Sequence, residues 1–165
     1  MRLSPSLMTT TEDEGPDYTA SIYGSLLVTT LIGVQRQLAT SAVTVALTVL
    51  ISIVVFWLAH SWAAIVNQRM RGRIRVEQAV HLAAEEAPML AAAIVPIAAL
   101  ASTLAGASVK TAVDLALFAS IAQLFLWGLA VGRAAHATWL LAFGVAAIDC
   151  LLGLVIVILE VNVLH

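Results

Sequence analysis

From Thr19 onward the chain alternates long apolar runs with short polar links. The runs cover about 19–34, 42–66, 88–106, 111–132 and 137–163. A helix rising 1.5 Å per residue needs about 20 mostly apolar residues to cross a hydrocarbon layer roughly 30 Å thick. Four runs reach or closely approach that length. The first is short and carries Tyr23, Ser25, Thr29 and Thr30; it spans only if it tilts little and Arg36 snorkels to the head groups. The pattern predicts an all-α fold, a polytopic transmembrane bundle of five spanning helices occupying residues 18–165. Residues 1–17 lack any periodic apolar face, and Thr9-Thr10-Thr11-Glu12-Asp13-Glu14-Gly15-Pro16 marks them as a disordered tail.

The links are short except for 67–87, so antiparallel neighbours in an up-down order are expected. Within that link Val76, Ala79, Val80 and Ala83 share one helical face, the pattern of a short interfacial helix. The third run is built from Ala91-Ala92-Ala93, Ala98-Ala99, Ala101 and Ala105. It should pack centrally, with a kink at Pro96. Gly128 and Gly132 stand at Gly-xxx-Gly spacing, suited to packing within the bundle or between subunits.

Basic residues set the expected orientation. With the amino terminus inside, the cytoplasmic side holds Arg2, Arg69, Arg71, Arg73, Arg75 and Arg133, and the outer side only Arg36 and Lys110. That is a positive-inside bias, and it predicts a multi-pass cell-membrane protein with its carboxyl terminus outside. Arg69, Arg71, Arg73 and Arg75 are also candidates for holding anionic lipid head groups.

Composition narrows the class. Hydrophobic residues make up 61% of the chain and charged residues 11%, too few charges for a water-exposed globule. A net charge of −2 without basic–aromatic interleaving argues against nucleic acid as a partner. Cys150 is the single cysteine, so no intrachain disulfide forms. No Gly-x-Ser-x-Gly, His-Glu-x-x-His, phosphate loop or Cys-x-x-Cys occurs. No enzyme class, cofactor or metal site is therefore expected.

One carboxyl group changes the picture. Asp149 lies about 18 Å into the last run, near the bilayer midplane. A charge there costs about 2.5–3.5 kcal/mol on the translocon scale, so it must face protein or water. Ala142, Ala146, Asp149, Gly153, Ile156 and Glu160 share one face of that helix, with Glu160 about 16 Å farther along. Gln123, at the midpoint of the preceding antiparallel helix, matches Asp149 in depth and offers an amide able to donate or accept. His60, between Trp57 and Trp62, is a third group able to relay protons. Asp149, Gln123, His60 and Glu160 are thus the proton- or ion-handling candidates. Asp114 is better explained as first-turn acid in a Thr111–Asp114 capping box. Ser21, Ser25 and Thr29 form a hydroxyl line that can wet a path or bond back to its own helix.

Several segments together resemble a group of small, uncharacterised polytopic membrane proteins of high-GC Gram-positive bacteria. They are Ile22-Tyr23-Gly24-Ser25, Phe56-Trp57-Leu58-Ala59-His60, Glu86-Ala87-Pro88, Pro96, Leu152-Gly153-Leu154-Val155-Ile156-Val157 and the terminal His165. The likeness covers most of the chain and implies a bacterial membrane protein, but no activity. It also implies a lysine near the position of Glu160, so the acid here is a departure. The Phe56-Trp57-Leu58-Ala59-His60 ending alone is similar to the filter-less bacterial and lysosomal potassium channels, whose first-helix Phe-Ser-Asp signature is absent.

Two functions follow as expectations. One is a channel or transporter-like protein that handles protons or small cations through Asp149. The other is a structural or accessory subunit in which polar residues only fix packing; enlarging Gly153 or Ala146 should then break the bundle. Self-association is expected in either case.

Overall fold

The computed structural model describes residues 18–135 and 138–163, without the side chains of Glu160, Val161 and Val163. The expected disorder of 1–17 and the terminal His165 lie outside the described residues. All regular structure among the described residues is helical. In chain order there are α1 (Thr19–Leu38), α2 (Ala42–Arg71), α3 (Val76–Glu85), α4 (Pro88–Ala91), α5 (Ile94–Leu100), a 3₁₀ turn (Ala101–Ala105), α6 (Val109–Ala134) and α7 (Trp139–Val163).

Among the described residues, four helical stretches are long and apolar enough to cross a membrane: Ala42–Arg71, Val76–Ala105, Val109–Ala134 and Trp139–Leu159. α1 is not among them, so the class is a multi-pass helical bundle with four such stretches. α2 makes the membrane-facing character plain. Val43, Leu47, Leu50, Ile51, Val55, Leu58 and Trp62 are all exposed along it, an apolar face far larger than soluble monomers leave uncovered.

The least apolar long helix is the best enclosed. α1 buries Ala20, Ser21, Gly24, Ser25, Val28, Thr29, Ile32 and Gly33, and it touches α2, α4, α6 and α7. Its small and hydroxylated residues allow close approach by neighbours, and Thr29 Oγ1 donates back to the Ser25 carbonyl at 2.8 Å. The predicted central place of the alanine-rich third run is therefore shared with α1.

That third run is a broken helix. Proline lacks an N–H and crowds the carbonyl four residues before it. One turn before Pro96, Ala92 N and Ala93 N bond to the Met89 and Leu90 carbonyls, three residues back, at 3.2 Å each. Before Pro88, Ala87 N likewise bonds to Ala84 at 3.1 Å. The kink expected at Pro96 thus falls at Ala92–Ala93. The Met89 carbonyl lies against Gly24, where a β-carbon would sit 2.6 Å from the oxygen. Gly24 is what lets α1 reach this segment.

α3 lies beside the end of α2, as its amphipathic pattern predicts. Trp57 Nε1 donates to the Ala83 carbonyl at 3.0 Å, while Val76 and Val80 remain exposed. Trp57→Phe should remove that latch and weaken α3 docking by about 1 kcal/mol. Hydrogen exchange across 76–85 should then speed up severalfold, with α6 unchanged.

α6 is the hub, packing against α1, α5 and α7. Ser108 caps it, accepting from Thr111 N at 3.1 Å. This corrects the capping box expected at Thr111. Asp114 instead binds Arg36 across to α1, Nε to Oδ1 at 2.6 Å. At the other end of the same pair Tyr18 packs against Trp127, with ring centroids 5.9 Å apart and the planes tilted by 46°. α1 and α6 are therefore antiparallel, and Arg36 answers a carboxylate.

Candidate functional site

α6 and α7 meet through small residues. A β-carbon on Gly132 would lie 2.5 Å from Ala142 Cα, and one on Gly128 would lie 2.7 Å from Ala146 Cα. Ala142 and Ala146 are fully buried. The Gly-xxx-Gly pair thus works within the chain. A β-carbon on Gly128 would also collide with Asp149 Oδ2. Asp149 accordingly lies on the protein-facing side of α7, with this oxygen buried in the cradle that Gly128 leaves open.

Register places the surroundings of the carboxyl. Gly153 of α7 faces Leu124 of α6 and Thr29 of α1, each 3.9 Å from a β-carbon built on it. One turn back along α7 is Asp149, one turn back along α1 is Ser25, and one turn onward along α6 is Gly128. Ser25 Oγ, Trp127 Nε1 and Asp149 Oδ2 are all buried and have no hydrogen-bond partner among the described residues. Each of the three helices thus carries a buried polar group of this kind. Cys150, beside Asp149 in the chain, directs its thiol to the Ile121 carbonyl at 3.6 Å.

The candidates from the sequence divide. Asp149 is on the protein-facing side of α7, as its helix face predicted. Gln123 Oε1 is buried and also lacks a partner, but the expected Gln123–Asp149 hydrogen bond is not formed. The reason is angular: Gln123 precedes Gly128 by five residues, about 140° round the axis, so it belongs to the face away from α7. His60 is not brought to Asp149 either. It packs against Phe56 and Tyr23, with centroids 5.7 and 6.2 Å away. Tyr23 lies about 200° round α1 from Ser25, so α1 stands between His60 and the carboxyl. The Glu160 side chain lies outside the described residues.

Ser25 and Trp127 are buried, unpartnered polar groups that sequence reasoning did not single out. Ser25 was legible as part of a hydroxyl line. Neither could be placed beside α7 without knowing which faces meet. Arg69, Arg71, Arg73 and Arg75 are all exposed at the end of α2 and in the link to α3. Arg69 and Arg73 flank a shallow surface groove with Val66, Met70 and Ile74. Arg133 lies at the same end of the bundle, its guanidinium 4.4 Å from the Trp139 ring centre.

No group of histidine, cysteine and acidic residues able to hold a metal occurs among the described residues. No protein-family model, curated protein or solved structure matches this chain. The antiparallel helices, the exposed apolar faces and the four long apolar stretches make it a multi-pass integral membrane protein.

Proposed function

We propose that the α1–α6–α7 junction is an intramembrane site that takes up a proton or small cation at Asp149, and that the protein is channel- or transporter-like. The observation that carries this reading is the set of buried, unpartnered polar atoms on Ser25, Trp127 and Asp149, one on each of three packed helices. Lipid tails cannot satisfy such groups, and unsatisfied polar atoms in a bilayer interior mark wet or ion-binding places. In this reading α1 is a fifth span, shielded from lipid by its neighbours. The arginine-rich end faces the cytoplasm of a bacterial cell, where Arg69 and Arg73 meet anionic head groups.

The alternative is a structural or accessory subunit, and the Gly128 cradle favours it. A carboxyl oxygen lodged against a glycine can act as packing alone, through weak Cα–H···O contacts. Reconstitution into vesicles with an ionophore-set potential and an internal pH dye separates the two. Asp149→Asn should lower flux at least about tenfold under the transport reading, equivalent to about 1.4 kcal/mol or more. Undiminished flux in that variant, or no flux in the parent protein, leaves the packing role.

A further inference from the structure

The α6–α7 seam changes character along its length. Toward the arginine-rich end, Gly128 and Gly132 against Ala142 and Ala146 bring the backbones together. Toward the Arg36–Asp114 end, the residues of both helices that line the seam are bulky. Between them runs a groove of about 590 Å³ whose walls are Leu117, Phe118, Ile121, Leu154, Val157 and Ile158. Arg36, Asp114 and Asn162 stand at its mouth. Asp114, Phe118 and Ile121 descend α6 over about 10 Å, so the groove runs from the head-group level into the hydrocarbon. Such a cleft within a bilayer is filled by apolar chain.

We propose that this groove holds one acyl chain of a zwitterionic aminophospholipid, with the head group read by Arg36 and Asp114. The mouth carries both signs of charge side by side. Each member is partly open, with side-chain exposures of 44% and 39%. Their contact uses one nitrogen of Arg36 and one oxygen of Asp114. The guanidinium keeps its remaining donors for a phosphate, and the second carboxylate oxygen is there for a primary ammonium. An anionic head group would satisfy Arg36 but place like charge beside Asp114. This site is separate from Asp149 and does not depend on transport.

The test is lipid retention by the full chain in nanodiscs of equimolar phosphatidylethanolamine and phosphatidylglycerol, read by native mass spectrometry. One phosphatidylethanolamine per chain should stay bound, about tenfold in preference to phosphatidylglycerol. Asp114→Asn should reverse the preference toward phosphatidylglycerol, which a merely structural ion pair would not do. Arg36→Gln should lower retention of both lipids, and Ile121→Trp should block the groove with helicity unchanged. Because Arg36 and Asp114 are at the exposed edge, their variants decide the matter even if Ile121→Trp fails to assemble. Equal retention of both lipids, or a preference that survives Asp114→Asn, overturns the proposal. So does a second copy seated on the seam, detected as Phe118→Cys cross-linking in a Cys150→Ser background.

Discussion

Gly128→Ala should destabilise the α6–α7 pair by about 2–3 kcal/mol, whereas Gly153→Ala should change stability by less than about 0.5 kcal/mol. Both glycines lie near the Asp149 level, and in an isolated helix each substitution would favour helicity. The difference is packing. A methyl on Gly128 meets Asp149 Oδ2 and the Ala146 backbone, whose Cα would be 2.7 Å away. Backbone cannot yield as a side-chain tip can, so the helices must separate and surrender their contacts. A methyl on Gly153 meets only Leu124 and Thr29 at 3.9 Å, ordinary contact distance. The expected sensitivity of Gly153 is therefore corrected: the tight positions are Gly128 and Gly132. Denaturation in mixed detergent micelles, followed by circular dichroism, gives the comparison. Equal midpoints for the two variants would falsify the assigned α6–α7 register.

Gly24→Val should detach α1 from the bundle. Its β-carbon would meet Met89 O at 2.6 Å, Met89 Cγ at 3.0 Å and Ala92 Cβ at 3.1 Å. The loss should be at least about 3 kcal/mol, the upper end for overpacking, because the added branch enlarges the clash. For a strongly apolar span such a loss would still leave the helix in the membrane. α1 lacks that reserve. Its inward face is Ser21, Gly24, Ser25 and Thr29, and the hydroxyls are tolerated because neighbouring helices cover them. Labelling by a membrane-impermeant thiol reagent at Thr19→Cys, at the amino end of α1 and in a Cys150→Ser background, reads the outcome. Labelling from outside should be absent in the parent and appear in Gly24→Val, because Leu38, tethered to the outer end of α2, leaves only the amino end free to change sides. Unchanged labelling would mean that α1 is held by lipid partition after all.

Those two glycines show how much of the molecule was readable beforehand. Helix class, approximate limits and the antiparallel order followed from apolar run length and short links. The limits moved outward where no breaker intervened, as at the end of α2, which continues through Asn67–Arg71 until Gly72. Pro96 announced a disturbance, but its place one turn earlier follows from the carbonyl it displaces. Asp149 was legible as a buried acid because depth and face are local properties. Its neighbours were not, because partner choice depends on helix rotation. Gln123 and Trp127 are only about 40° apart round α6, and nothing along the helix says toward which neighbour that face turns.

The sequence by itself determined a helical membrane protein with one carboxyl group deep in its last helix, since the 3.6-residue repeat and the cost of a charge in hydrocarbon act along a single segment. Only the tertiary structure decided what surrounds that group. It also decided that α1 is sheltered, that Arg36 pairs with Asp114, and that the α6–α7 seam opens at one end. These depend on which faces meet, and close approach is set jointly by small residues on two helices. Neither helix carries that information alone.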